Sequence, residues 1–280
     1  MNVRNGVRLI VPIFHARSRV GNLSTTKHTQ QETPLSKLSD KIRSAARSEP
    51  QPLGFGAVRA AVVSTMVLAA AAPDAGAAAE LARRGADIVI LGSAAAPAVV
   101  GSGKDAGAIA GARIGGKTAG EAAEYRAGGF DFIVFDPNTA TATALLDEKI
   151  GYVLALPADL SDNELRTLEG FHLDAIDVGA LSGPLTVRRQ IDLRRIFAAT
   201  RKPLMAAVDA AISIPELQAL RDTNVLIAIV EGADNVERLR KTIDALPPRS
   251  RRKDDDRPTP LVPHNAMAEE ESDEHDHEHE

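Results

Sequence analysis

The chain has 280 residues, of which 44% are apolar but only 3% aromatic, so its core must be built from Ala, Val, Leu and Ile. Its formal net charge of -5 argues against nucleic acid as a partner, because a phosphate backbone requires a basic protein surface. The absence of cysteine excludes disulfides, thiolate metal sites and thiol nucleophiles. The longest apolar run, residues 60–73, is too short to span a bilayer as a helix, so we expect a cytoplasmic protein without membrane contact.

Residues 1–33 are predicted to form a disordered leader. All the Lys and Arg residues of this segment precede its first acid, Glu32, and it is rich in Ser, Thr, Asn and Gln. This composition is typical of an organellar transit peptide, but the poor periodicity favours a plain leader or a start codon placed too far upstream.

Residues 34–53 carry apolar side chains at helical spacing, followed by a short linker. This spacing predicts a short helix that closes the bottom of the domain that follows. The side chains are those of Leu35, Leu38, Ile42 and Ala46.

Residues 54–246 contain eight short apolar runs, each followed by a helix-like stretch. Several runs are apolar throughout, which is typical of strands buried on both faces of an all-parallel sheet. So many strand and helix units in so short a segment favour a closed (β/α)8 TIM barrel with short βα loops over an open doubly wound sheet. The predicted strands cover residues 61–69, 87–91, 112–116, 130–135, 151–156, 173–178, 203–208 and 225–230.

Several predicted helices begin with a capping box or its acidic analogue just after a strand. In this motif one side chain accepts a hydrogen bond from an amide at the helix start while another reaches back to the cap residue. The pairs are Thr118 with Glu121, Ser161 with Glu164, Ser213 with Glu216, and Asp234 with Glu237. Pro73 and Thr186 are predicted to begin two further helices.

An aspartate recurs at the start of strands 2, 4 and 6, as Asp87, Asp131 and Asp174, whereas strand 8 has Val225 at that position. Because the strands are parallel, these carboxylates lie together at the bottom face, away from the catalytic end of a barrel. We therefore predict a structural role for them, satisfying the backbone of the loops.

The Gly-Ala-Asp entry to strand 2 and the Glu-Gly-Ala-Asp sequence at residues 231–234 point to a known group of proteins. They resemble the phosphate-binding (β/α)8 barrels, the superfamily of indole-glycerol-phosphate synthase and thiamine-phosphate synthase. The resemblance covers residues 54–246 and implies a small-molecule ligand at the face where the strands end.

The polar residues predicted at that face offer acid–base and imine chemistry. Lys117, directly after strand 3, is predicted to act as a base or to form an imine with a carbonyl substrate. Carboxylates around it are suited to sharing acid–base work or holding Mg²⁺, although helix capping explains several of them equally well. The catalytic candidates are Lys117, Asp136, Asp177, Asp209 and Glu231, with Asn138 and Asp159 nearby.

Ser182, Gly183 and Gly232 are the predicted ligand-binding residues. The amides around Ser182 and Gly183 are suited to an anion, and Gly232 matches the pattern of the resembled superfamily after strand 8. Asp209 and Glu231 stand where that superfamily has glycine-rich turns, so a phosphate there would be repelled unless a cation intervenes.

The remaining motifs identify no cofactor and no metal. Residues 101–105 in the long connection 92–105 read Gly-Ser-Gly-Lys-Asp, which is not a Walker sequence and is interpreted as a flexible loop. The sequence has no HExxH motif, no GxGxxG motif after a strand and no credible Ser/His/Asp arrangement.

Residues 247–280 are predicted to form a disordered charged tail. The tail begins with two prolines and a basic patch and ends in an acidic run, so nothing in it builds a core. His275, His277 and His279 alternate with acids and are suited to weak Zn²⁺ or Ni²⁺ chelation, but a solvated acidic tail fits a flexible chain better.

Two functions remain open from the sequence. The first is a small-molecule lyase or synthase acting on a phosphorylated or carbonyl metabolite, with Lys117 and the carboxylates converging on one pocket. The second is a catalytically inactive barrel that serves as a scaffold or protein-interaction module. The outer helices near residues 193–197 and 217–220 leave a homo-oligomer open, although core packing explains the same residues.

Overall fold

The computed structural model describes residues 36–46, 64–92, 107–114 and 119–248. Within these ranges eight parallel strands close into a barrel in chain order, with β8 paired to β1, which confirms the predicted (β/α)8 TIM barrel. The strands are β1 (Val67–Ala72), β2 (Ile88–Leu91), β3 (Ile109–Ile114), β4 (Phe132–Phe135), β5 (Gly151–Ala155), β6 (Ala175–Ala180), β7 (Leu204–Ala207) and β8 (Val225–Glu231).

The helices of the described residues surround this ring, except for α1, which precedes β1. They are α1 (Lys37–Ala46), α2 (Ala75–Arg83), α3 (Ala119–Ala127), α4 (Asp162–Thr167), α5 (Val187–Thr200), α6 (Ile214–Asp222) and α7 (Ala233–Asp244). The connection after β4 contains a 3₁₀ helix, Ala142–Leu146, and another, Leu168–Gly170, follows α4. In the described ranges no helix is long and apolar enough to cross a membrane.

Several predictions fall on residues that the structure does not describe. They concern the leader, the linker at residues 47–53, the loop at residues 93–106, Lys117 with Thr118, and the tail from residue 249.

Three strands are shifted relative to those predicted, of which β6, Ala175–Ala180 rather than residues 173–178, is shifted least. β1 covers Val67–Ala72 rather than residues 61–69, because the long apolar run has no boundary of its own and pairing sets the strand, with Ala69 opposite Ile88. β3 covers Ile109–Ile114 rather than residues 112–116, because its small residues give a weak strand signal but pair in register with β2.

The predicted helix starts are partly confirmed. Complete capping boxes begin α4 at Ser161 and α6 at Ser213, and Thr186 caps α5. The acidic box at Asp234 is wrong, because Gly232 precedes the first residue of α7 and Asp234 lies within the first turn, where a negative charge favours the helix dipole. The start at Pro73 is also wrong, because the Asp74 side chain accepts from the Ala77 amide and caps α2.

The interior of the barrel is filled by large side chains facing small ones. Leu38 and Ile42 of α1 are buried at its floor, in the same cluster as Phe132 of β4. A Cβ atom added to Gly111 of β3 would lie within 2.6 Å of three carbons of the Phe132 ring, so the ring occupies space that only glycine leaves open. Outside the ring, Leu193, Leu217 and Leu220 are buried, so core packing accounts for these three of the helix residues considered for a homo-oligomer.

The aspartates at the starts of β2, β4 and β6 have a structural role, as the sequence predicts, but they accept hydrogen bonds from amides within strands rather than from loops. Each carboxylate accepts the amide of a residue in the preceding strand: Asp87 from Leu68, Asp131 from Ala110, and Asp174 from Tyr152. The same carboxylates bind α1 through Lys41 to Asp87 and Lys37 to Asp131, both at 2.8 Å, and through Ser36 and Ser39 to Asp174. Helix α1 therefore closes the bottom of the barrel.

Candidate functional site

An arginine and an aspartate from non-neighbouring strands meet at the upper end of the barrel. Arg113 of β3 alternates with Ile109 and Gly111 on the inner face, and its Nη2 atom donates to Oδ2 of Asp177 in β6 at 2.6 Å. The Asp177 side chain is 4% exposed, whereas that of Arg113 is 49% exposed. The carboxylate thus lies in the barrel interior, and the guanidinium lies at the upper opening of the barrel. We call this opening the Arg113 mouth.

The second carboxylate oxygen of Asp177 fixes the end of β6. Oδ1 of Asp177 accepts the amide of Gly179 at 2.9 Å, and Gly179 has a φ of +75°. The pairing of β6 with β7 is irregular here, since Asp177 faces Met205 but Ala180 faces Ala207, which leaves one extra residue in β6. Asp177 therefore orients Arg113 through Oδ2 and stabilises the β-bulge at the end of β6 through Oδ1.

Two cavities adjoin Arg113 at the mouth. The larger, about 610 Å³, is also lined by Phe135, Asp136 and Asn138. The smaller, about 410 Å³, is also lined by Glu231 and Gly232. Arg113 and Gly92 line both cavities, so the guanidinium stands between a carboxylate that follows β4 and one that ends β8.

The two carboxylates of the mouth, Asp136 and Glu231, differ in their hydrogen bonding. Asp136 is half-buried and its Oδ1 accepts the Asn138 amide at 2.9 Å, which stabilises the turn after β4. Asp136 lines the larger cavity, and no hydrogen bond of its Oδ2 atom is found among the described residues. Glu231 is exposed, and its backbone carbonyl, rather than its carboxylate, accepts from Asn235.

The other predicted site residues lie elsewhere. Ser182, Gly183 and Asp209 line a separate cavity of about 490 Å³ between the connection from β6 to α5 and the connection from β7 to α6. No residue that lines this cavity also lines the cavities at Arg113. The structure thus does not bring all the predicted carboxylates to one pocket, because Asp209 faces a different opening. Asp159 is exposed after β5 and lines none of these three cavities.

The described ranges contain no preformed cluster of metal-ligating side chains. No group of three or more His, Asp or Glu side chains there is placed to hold an ion.

Arg113 is the residue of the candidate site that sequence reasoning missed. The available signal was a single charged side chain inside the run Ile-Ala-Gly-Ala-Arg-Ile. A strand that is small and apolar on both sides does not reveal which of its faces is turned inward, so the sequence did not place this charge in the barrel.

The comparisons with known proteins bear on the fold. No protein family model matches the chain, and no curated protein matches it. A Rubisco-like protein from Rhodopseudomonas palustris is similar in structure with a TM-score of 0.52 and 15% identity, over 68% of this chain and 66% of that chain. A 3-keto-L-gulonate-6-phosphate decarboxylase from Vibrio cholerae has a TM-score of 0.50 and 12% identity, over 65% of this chain and 99% of that chain. The chain has the (β/α)8 fold of these proteins.

A third solved structure, a thiamine phosphate pyrophosphorylase from Pyrococcus furiosus, has a TM-score of 0.49 and 14% identity over 65% of this chain and 96% of that chain. The closed ring of eight parallel strands is what confirms the (β/α)8 fold implied by the resemblance to phosphate-binding barrels. Identities this low carry the fold and leave the activity to be argued from the site.

Proposed function

We propose that this barrel is a small-molecule enzyme of the lyase or synthase class, whose substrate is a phosphorylated or carbonyl metabolite with an anionic group bound by Arg113. The observation that supports this is the half-exposed guanidinium between two cavities, held from below by a buried carboxylate. A guanidinium has several N–H donors, and among the described residues only Nη2 of Arg113 donates, to Asp177. The remaining donors suit the oxygens of a phosphate or carboxylate.

The acid–base role belongs in this proposal to Asp136. One of its oxygens holds the turn after β4, and the other has no donor from the described residues. A carboxylate that is fixed by one oxygen and open at the other can take or give a proton at a bound substrate. Glu231 would act from the opposite side of Arg113, next to the Gly232 amide.

Asp177 has a positioning role in the same proposal, because both its oxygens are occupied by Arg113 and Gly179. Lys117 remains a proposed base or imine former on the segment that follows β3. Gly232 remains a proposed ligand-binding residue, since it lines the smaller cavity at the mouth.

The name of one neighbour in fold supports the substrate class by analogy alone. That protein is called a 3-keto-L-gulonate-6-phosphate decarboxylase, a name that combines a carbonyl and a phosphate on one substrate.

A catalytically inactive barrel is the second candidate. Two observations favour it: Phe132 fills the interior below the mouth, and Asp177 already neutralises Arg113. Such a barrel would serve as a scaffold or interaction module and would bind no metabolite at Arg113.

Ligand binding at Arg113 distinguishes the two candidates. We expect phosphorylated aldehydes and ketones to raise the thermal unfolding temperature of the wild-type protein, whereas their dephosphorylated forms do not. Arg113→Met should weaken this binding by about tenfold or more, because a charge-assisted pair with the anion is lost.

The matched control is Arg126→Met. Arg126 is also paired with an aspartate, Asp147, but Arg126 lines neither mouth cavity. This variant should bind like the wild type. If no phosphorylated compound and no carbonyl compound with a carboxylate stabilises the wild type, or if Arg113→Met binds as tightly, the enzyme proposal is wrong and the scaffold is favoured.

A further inference from the structure

We propose that the cavity between the β6–α5 and β7–α6 connections is a second ligand site, separate from the Arg113 mouth, and that it binds an apolar α-amino acid. The site, called here the β6–β7 cavity, has an apolar floor, an arginine for the carboxylate and an aspartate for the ammonium group.

The size and lining of the β6–β7 cavity suit a small amphipathic molecule. Its volume of about 490 Å³ lies in the range of small-molecule sites. Its apolar lining includes Leu181, Val208, Ile212 and Leu220, of which Leu220 is fully buried and the others are partly buried. Such a floor favours a ligand with an apolar side chain, because burying that side chain removes it from water.

Arg189 supplies the positive charge of this cavity. The neighbouring Arg188 of the same helix pairs with Asp192 at 3.2 Å, and Arg195 pairs with Asp162. Arg189 has no carboxylate partner among the described residues, and its Nη2 atom makes only a long contact of 3.4 Å with the carbonyl of Ala180. Its guanidinium is therefore available for a bidentate bond to a ligand carboxylate.

Asp209 supplies a partly unused negative charge. Its Oδ1 atom accepts the Ala211 amide at 2.8 Å, and no hydrogen bond of Oδ2 is found among the described residues. Glu216 also lines the cavity, but its oxygens accept from Ser213 and from the Leu185 amide. Asp209 is thus the carboxylate with room for a donor from the ligand.

The balance of charges decides between ligand classes. The described lining carries one guanidinium and two carboxylates, and a phosphate or a simple organic acid would leave Oδ2 of Asp209 without a donor. A simple amine would leave Arg189 without a partner. A zwitterion can pair its carboxylate with Arg189 and its ammonium group with Asp209. An apolar α-amino acid also has a side chain that can pack against the apolar lining.

The test is isothermal titration calorimetry on the full chain with L-leucine and L-phenylalanine. Two fragments of leucine serve as matched probes: 4-methylpentanoate, which lacks the ammonium group, and 3-methylbutylamine, which lacks the carboxylate. We expect L-leucine to bind about tenfold or more tightly than either fragment, because each fragment loses one charge-assisted pair.

Substitutions test which residue binds the carboxylate of the ligand and which binds its ammonium group. Arg189→Gln should weaken L-leucine and 4-methylpentanoate but leave 3-methylbutylamine unchanged, and Asp209→Asn should weaken L-leucine and the amine but not the acid. Arg188→Gln is the matched control, since Arg188 lies on the same helix, is 81% exposed and does not line the cavity. Far-UV circular dichroism would verify that each variant is folded.

Three results would overturn the inference. The first is that neither amino acid binds the wild-type protein at millimolar concentration. The second is that Arg189→Gln binds L-leucine as tightly as Arg188→Gln does. The third is that Arg113→Met abolishes amino acid binding, which would assign it to the Arg113 mouth. If L-leucine binding instead survives in Arg113→Met, the second site stands whatever the outcome for phosphorylated compounds.

Discussion

Gly111 shows how a single missing side chain shapes the barrel interior. The Phe132 ring from the adjacent strand lies where a Cβ atom of residue 111 would stand, and both residues are buried. A chain with so few aromatic residues relies on this ring to fill the middle of the barrel. Arg113 lies two residues further along β3, at the mouth.

Replacing Gly111 tests this packing. We expect Gly111→Ala to lower the free energy of unfolding by about 1–3 kcal/mol, because the added methyl group overpacks the core against the Phe132 ring. Urea denaturation followed by far-UV circular dichroism measures the change, since the chain contains no tryptophan to report by fluorescence.

Gly170→Ala is the control, because a Cβ atom there meets nothing within 4 Å. It should change the stability by less than about 0.5 kcal/mol. The effect of Gly111→Ala should shrink in a Phe132→Leu background, where the ring is gone. An equal effect in both backgrounds would show that the ring is not the cause.

At the scale of elements, α1 is joined to the barrel by the same carboxylates that join neighbouring strands. Asp87 illustrates this, since it accepts the Leu68 amide and also binds Lys41 of α1 and Arg240 of α7. Burial by itself would raise the pKa of Asp87, but the hydrogen bond from Lys41, the charge of Arg240 and the hydrogen bonds from Leu68 and Arg240 together hold the pKa below its ordinary value of 3.8.

This lowered pKa predicts a pH-dependent contribution to stability. A carboxyl group whose pKa is lower in the folded state stabilises the protein above the unfolded value, and the contribution is lost as pH falls through the folded value. We therefore expect Asp87→Asn to be less stable than the wild type at neutral pH by about 1–3 kcal/mol. Below pH 3.8 the difference should narrow as the wild-type carboxylate becomes protonated.

Asp40→Asn is the control, on the helix whose Lys41 binds Asp87. Asp40 lies on α1, is exposed, and makes no ion pair within the described residues. Chemical denaturation at a series of pH values would give both stability curves. A constant difference between wild type and Asp87→Asn at all pH values would contradict the ionic role of Asp87.

The elements that the sequence predicts best are those marked by local chemistry. Capping boxes at Ser161 and Ser213 need only side chains three residues apart, and the regular spacing of Asp87, Asp131 and Asp174 follows from two strand and helix units. The ends of β1 and β3 were less predictable, because pairing with neighbouring strands sets them rather than any residue in the run.

The candidate site was less predictable than the fold for the same reason. Asp136, Asp177 and Glu231 could be assigned to the upper rim because they follow or end apolar runs. Whether they share a cavity depends on how the connections fold over the rim, and this separates Asp209 from Arg113. The partner of Asp177 lies 64 residues away in the chain, so no local pattern connects the two.

At the scale of the whole molecule, closure of the ring brings distant parts of the chain together. The first and last parts of the barrel meet at Arg221, which is 1% exposed and donates to the Thr65 hydroxyl before β1 and to the Pro247 carbonyl after α7. At the other end of the barrel, closure sets Arg113 of β3 against Asp177 of β6, across the interior.

The cross-barrel pair of Arg113 and Asp177 is the feature on which the proposed site depends. Each single substitution, Arg113→Met or Asp177→Asn, should destabilise the protein, because it leaves the other member of a partly buried pair without its partner. The double variant should then be less destabilised than the sum of the two.

A double-mutant cycle on these residues, measured by urea denaturation and far-UV circular dichroism, is the most direct measurement of this pairing. We predict a coupling free energy of about 1–3 kcal/mol between Arg113 and Asp177. Effects that add to within about 0.5 kcal/mol would show that the two side chains are not energetically coupled, and would contradict the account of the barrel mouth.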